Sequence, residues 1–153
     1  MQVGEKAPNI TLFNTEKTEV AIHDTPGNKL LLFFPLAFTS TCTAELCSVR
    51  DDIAQYNELN ATVYGISIDS LFTLARYQEE QQLNFHLLSD FNKDASRAFG
   101  VLDEKFAFNM QGVSKRSAFV IDKEGIVRYS EICPTPGDLP DFKKINEALS
   151  QLN

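Results

Sequence analysis

The chain has 153 residues, 43% of them hydrophobic and 23% charged, which suits one folded domain (1–153) with a real core. A net charge of −7 argues against nucleic acid or an anionic membrane as partner, since both are polyanions. Three cysteines are a low, odd number for a secreted disulfide scaffold, so the thiols are expected to serve chemistry or packing in a reducing cytoplasm.

The start, Met1 to Lys6, is polar and does not read as a signal peptide, and the longest apolar run, Leu30 to Phe38, is too short to span a bilayer. Residues 1–9 read as an extended arm, because Ala7-Pro8 disfavours helix. Ile10–Phe13 and Glu19–Ile22 read as short strands around a polar turn. After the turn Thr25-Pro26-Gly27-Asn28 comes a continuous apolar run, Lys29–Phe34, expected as a central strand covered on both faces. From Cys42 the apolar positions Leu46, Val49, Ile53 and Tyr56 step by four, three, four and three, which is one face of a helix. Thr62–Ile68 is a second β-branched run, and Asp69-Ser70 can cap a helix over 71–83 that turns polar in its second half. A strand over 85–88, a short helix over 94–99 and a stop at Gly100 follow. Residues 101–114 read as irregular, with Phe106 and Phe108 exposed. Ser117–Ile121 and Ile126–Ile132 form a hairpin, and a last amphipathic helix uses Phe142, Ile145, Leu149 and Leu152. Alternation in the middle and a hairpin near the end predict an α/β fold with a mixed central sheet and flanking helices.

The junction between the apolar strand and the first long helix carries the chemistry. A cysteine there meets unpaired N–H groups and the positive end of the helix dipole, and both favour thiolate over thiol. Packing is the competing role for Cys42, because it also lies on the apolar stripe.

Pro35, Thr39 and Cys42 form Pro-x-x-x-Thr-x-x-Cys, and the chain resembles the peroxiredoxin family on that pattern. The stretch Phe38 to Cys47 followed by Arg50-Asp51 is similar to the bacterioferritin-comigratory (Q-type) subgroup, and Lys115-Arg116-Ser117 resembles the arginine-bearing strand of the one-cysteine E-type subgroup. The resemblance implies a thioredoxin-like fold with an N-terminal β extension and a thiol-dependent peroxidase without cofactor or metal. Cys42 would attack a peroxide oxygen and become a sulfenic acid. Thr39 would accept from the peroxide and donate toward the thiolate, and Arg116 would hold thiolate and peroxide. The N–H groups of Thr41 and Cys42 would polarise the same oxygens. Pro35 would wall the pocket, and Glu45 would orient the arginine. Phe38 and Phe108 would supply an apolar rim.

Cys47 is the resolving cysteine that the resemblance implies, with Cys133 or an external thiol as competitors. Five helical residues advance roughly 7.5 Å and turn about 140°, whereas a disulfide needs Cα atoms within about 7 Å. A Cys42–Cys47 bond therefore requires unwinding around residues 40–48. The expected partners are a small peroxide, a thioredoxin- or glutaredoxin-type reductant and a second copy of the chain in a homodimer. A redox sensor passing oxidation to a partner protein would share the motif. A thioredoxin-like disulfide exchanger would want Cys-x-x-Cys, which is absent. His23 and His86 stand apart from any cysteine cluster, so no metal site is expected.

Overall fold

The computed structural model describes residues 1–153. Nine strands form: β1 (Thr11–Asn14), β2 (Glu19–Ala21), β3 (Asn28–Phe33), β4 (Ala61–Ser67), β5 (His86–Ser89), β6 (Leu102–Asp103), β7 (Val113–Ser114), β8 (Ser117–Ile121) and β9 (Val127–Ile132). The helices are α1 (Ser40–Asp51), α2 (Ile53–Glu58), α3 (Leu71–Gln81), α4 (Asp94–Ala98) and α5 (Phe142–Gln151). Seven strands make one mixed sheet in the order β2-β1-β5-β4-β3-β8-β9. Its centre is parallel, β5-β4-β3, and its flanks pair antiparallel. The N-terminal pair β1-β2 extends the sheet beyond β5.

The apolar run of β3 is fully buried, as a strand covered on both faces must be. Leu30, Leu32 and Phe34 point into one core with Leu46, Val49, Leu74, Tyr77 and Ile145. Leu31 and Phe33 point into the other, with Ile66, Phe99, Phe119 and Val127. The period of two thus sorts consecutive residues to α1, α2, α3 and α5 on one face, and to α4 and the N-terminal arm on the other.

The expected helix from Cys42 through Tyr56 is two helices. Asp52 takes φ −104°, ψ 13°, and its N–H is shared by the carbonyls of Ser48 and Val49. Asp51 and Asp52 place carboxylates at the negative end of α1, which favours a break there. The strand expected through Ile22 ends at Ala21, and Ile22–Asp24, with His23, form a one-turn 3₁₀ helix. Residues 101–114 are more ordered than expected, because β6 and β7 pair into a small hairpin. Phe106, read as exposed, is half-buried, whereas Phe108 is 91% exposed.

Candidate active site

Several bonds fix the turn that enters α1. Phe34 N–H donates to Ile66 O, and Ala37 N–H donates to Asp69 Oδ2 at 2.8 Å. Asp69 is itself held by the Ser67 hydroxyl at 2.6 Å. Phe38 then takes φ +66°, a left-handed conformation that costs a bulky residue about 1 kcal/mol or more. Its ring packs on Tyr77 with centroids 4.9 Å apart. Thr39 is the N-cap residue but spends its proton on Leu36 O at 2.8 Å. Its oxygen therefore remains as an acceptor, and the expected donation toward the thiolate does not occur. The first-turn N–H groups of Thr41 and Cys42 bond no backbone carbonyl, as the start of a helix dictates.

Arg116 reaches this helix start from the position just before β8. Its Nη2 lies 3.1 Å from Cys42 Sγ, and its Nη1 donates to Glu45 Oε1 at 2.7 Å. Nε and Nη2 also donate to Pro136 O, at 3.3 and 3.2 Å. Cys42, Glu45 and Arg116 are all buried. Burial works against the Arg116 cation, but the charges of Glu45 and Cys42 outweigh it and the pKa is raised. Burial pushes the Glu45 carboxyl up to about 7, with Arg116 pulling the other way. Glu45 Oε2 has no hydrogen-bond partner, so a carboxylate there would be incompletely solvated, in keeping with the raised pKa.

A hollow of about 170 Å³ opens over Cys42, between Pro35, Thr39, Thr41, Phe106, Arg116 and Pro136. Its aromatic wall is Phe106. The expected rim residues lie elsewhere, since Phe38 turns toward Tyr77 and Phe108 points to solvent. Pro35, Phe106, Arg116 and Pro136 are shared with a neighbouring hollow of about 190 Å³ that Cys133 lines. A larger groove, about 420 Å³, lies near β1 and β5 beside Phe13, Phe72 and Phe91 and contains no cysteine.

The three thiols are free and sit in different settings. Cys47 is half-buried, shares the continuous helix α1 with Cys42, and turns its sulfur to Gln81 Oε1 at 3.6 Å. Cys133 is buried, and its thiol is pushed up to about 11 by burial and then by the charges of Glu131 and Glu45. Three contributors escaped sequence reasoning. Asp69 was read only as part of a helix cap, although Ser70 makes that cap to Thr73 N–H. Pro136 acts through its carbonyl, which a sequence does not advertise. Tyr77 drew no reading beyond its place in the expected helix over 71–83, yet its hydroxyl meets Thr43 Oγ1 at 2.9 Å.

Residues 3–130 match the model of the AhpC/TSA family. Alkyl hydroperoxide reductase E of Mycobacterium bovis is 33% identical over 156 residues, spanning 99% of this chain and 98% of that one. The chloroplastic 2-Cys peroxiredoxin BAS1 of Spinacia oleracea is 37% identical over 142 residues, which cover 85% of this chain. This chain spans only 52% of that longer protein. The crystal structure of peroxidoxin BcpB from Mycobacterium tuberculosis superposes with a TM-score of 0.89 at 26% identity, covering 100% of this chain and 99% of the other.

Proposed function

Since this chain belongs to the AhpC/TSA family of peroxiredoxins, we propose that it is a thiol-dependent peroxidase with Cys42 as the attacking sulfur. The observation that carries this reading is the Arg116 guanidinium 3.1 Å from a buried sulfur at a helix start with free N–H groups. The cation favours a thiolate, and the hollow above it suits a small peroxide. The thiolate attacks one peroxide oxygen, the O–O bond breaks, and Cys42 becomes a sulfenic acid while the other oxygen leaves as water or alcohol. Arg116 and the N–H groups of Thr41 and Cys42 steady the negative charge on the leaving oxygen. Thr39 accepts the peroxide proton's hydrogen bond through its free lone pairs, and Pro35 walls the hollow without offering a competing N–H. Glu45 holds Arg116 in place from beneath.

Cys47 resolves the sulfenic acid, and a thioredoxin- or glutaredoxin-type dithiol reduces the resulting disulfide in a reducing cytoplasm. Cys133 is the weaker candidate, because a thiol held near 11 offers little thiolate at neutral pH. A second copy docks on the Cys42 side, using the 101–114 segment. The test is intact mass after one equivalent of hydrogen peroxide on wild type and on Cys42→Ser, Cys47→Ser and Cys133→Ser. Cys42→Ser is expected to stop peroxide consumption, Cys47→Ser to accumulate the sulfenic acid, and Cys133→Ser to behave as wild type. Wild-type consumption by Cys42→Ser would overturn the reading.

A further inference from the structure

Apart from Tyr77, which is buried in the core, the second half of α3 is polar, and the chemistry above does not use it. Three contacts join α3 and the residues after it to α1, each spanning 34 residues of sequence: Thr43 Oγ1 with Tyr77 Oη, Cys47 Sγ with Gln81 Oε1, and Asn84 Nδ2 with Arg50 O. A constant offset means that the two helices run parallel in one register, as successive crossovers on one sheet face do. Arg50 adds a fourth tie, its Nη1 donating to Gln81 O at 2.7 Å. That carbonyl belongs to the last turn of α3, where a cation is favoured. Neighbouring side chains are engaged elsewhere: Gln78 bonds Thr15 and the Phe85 carbonyl, and Glu80 pairs with Arg76. Gln81 has the Cys47 thiol as its side-chain partner.

Oxidation of Cys42 acts on these anchors unequally. The first turn of α1 meets Arg116 through the Cys42 sulfur, and that contact changes when the sulfur becomes a neutral sulfenic acid, while the Glu45–Arg116 pair further along α1 does not. The Cys47–Gln81 contact is neutral and does not sense that change. We infer that Gln81 is a positioning residue that latches Cys47 to α3, so that release of this thiol adds to the barrier that unwinding sets for disulfide formation. Arg50 and Asn84 hold the far end of α1 while the segment between the cysteines unwinds. The inference rests on the proposed roles of Cys42 and Cys47. In the step it governs, Cys42–SOH and Cys47–SH give Cys42–S–S–Cys47 and one water, the sulfenic oxygen leaving with the thiol proton. While the latch is closed a second peroxide competes, oxidising the sulfenic acid to a sulfinic acid and leaving as water or alcohol.

The test follows peroxide consumption and quenched intact mass with time on wild type, Gln81→Met and Gln81→Glu, using hydrogen peroxide. Met keeps the length but offers no oxygen, whereas Glu keeps the acceptor. In Gln81→Met the first equivalent of peroxide is expected to disappear at the wild-type rate. The Cys42–Cys47 disulfide then forms roughly threefold faster, the size of one weak hydrogen bond, and the sulfinic fraction falls in step. Gln81→Glu returns disulfide formation to the wild-type rate or below. Disulfide formation at the wild-type rate in Gln81→Met overturns the latch. So does a fall of both rates together without rescue by Gln81→Glu, which marks a merely structural residue. A wild-type disulfide to Cys133, or none, overturns the Cys47 assignment and the latch with it. Failure of Cys42 to oxidise at all overturns the peroxidase reading itself.

Discussion

Cys42 and Cys133 are both buried, and they line adjacent hollows that share Arg116 and Pro136. Arg116 even touches both residues. Its guanidinium lies 3.1 Å from Cys42 Sγ, and its carbonyl accepts from Cys133 N–H at 2.9 Å. The two sulfurs nonetheless meet different surroundings. Cys42 faces a cation and free helix N–H groups, whereas Cys133 is pushed up to about 11 by burial, with Glu131 and Glu45 adding to it. Burial by itself quiets a thiol. The two buried cysteines thus differ in the charges set around the sulfur, and that difference supports the proposed choice of Cys42 as the nucleophile.

Removing the cation is the strongest way to break this contrast. Arg116→Met is expected to slow Cys42 oxidation by roughly 10²–10³, as loss of a preorganised donor does. Stopped-flow with hydrogen peroxide measures it, and a wild-type rate would mean that the guanidinium does not set the contrast. The same substitution strands Glu45 as a buried, unpaired acid and costs about 3–5 kcal/mol of stability if the carboxylate stays charged. Adding Glu45→Gln to Arg116→Met separates the two effects, because stability in urea recovers and the oxidation rate does not.

The parts of this site that were legible in the sequence are those encoded by local pattern. The alternation through β3 sorts its side chains to two cores, and the strand-to-helix break puts Cys42 where N–H groups are free. Arg116 was found through a family resemblance rather than spacing, since 74 residues separate it from Cys42. What escaped depends on contacts between distant segments. Asp69 reaches back 32 residues to hold Ala37 N–H, and the Pro136 carbonyl meets Arg116 from a loop. Phe106 became the wall of the hollow because β6 and β7 pair and bring the intervening loop to it. The Thr39 hydroxyl was assigned two bonds through the family resemblance and the donor–acceptor capacity of a hydroxyl. Its local geometry commits the proton to Leu36 O.

Glu45 sharpens the contrast next, because it faces both thiols. Burial raises its carboxyl from the ordinary 4.5 to about 7, so the native state keeps a proton that the unfolded chain has released. Stability from this group is complete below about pH 4.5 and is lost as pH rises through 7. Urea unfolding of wild type is therefore expected to lose on the order of 3 kcal/mol between pH 5 and pH 8 from this group. Glu45→Gln removes that part of the slope. Equal slopes in both proteins would show that Arg116 keeps the carboxylate ionised throughout. In the same variant Arg116 loses its anionic support, and Cys42 oxidation at pH 7.5 is expected to fall by about tenfold, less than for loss of the guanidinium.

The smallest expected effect comes from Glu131, which acts on the Cys133 side and reaches Glu45 only as the least of the influences on it. Its Oε1 accepts from Tyr129 Oη at 2.7 Å and from Asp141 N–H at 2.9 Å, so Glu131→Gln keeps an acceptor while removing the charge. Burial comes first among the causes that raise the Cys133 thiol, and Glu131 follows it. The substitution should therefore lower that thiol only part of the way toward its ordinary value. Iodoacetamide labelling of Cys133 at pH 8.5, in a Cys42→Ser/Cys47→Ser background, is expected to rise by a factor of about three to ten, which corresponds to a shift of roughly half to one pK unit. Cys42 oxidation by peroxide, measured with the other cysteines in place, should stay near the wild-type rate, because Glu131 bonds Tyr129 and Asp141 and its charge is the least of the influences on Glu45. If labelling does not change, burial alone accounts for the quiet thiol and the acidic neighbours are incidental. If it rises a hundredfold, the carboxylate outweighs burial, and Cys133 is one charge away from the reactivity proposed for Cys42.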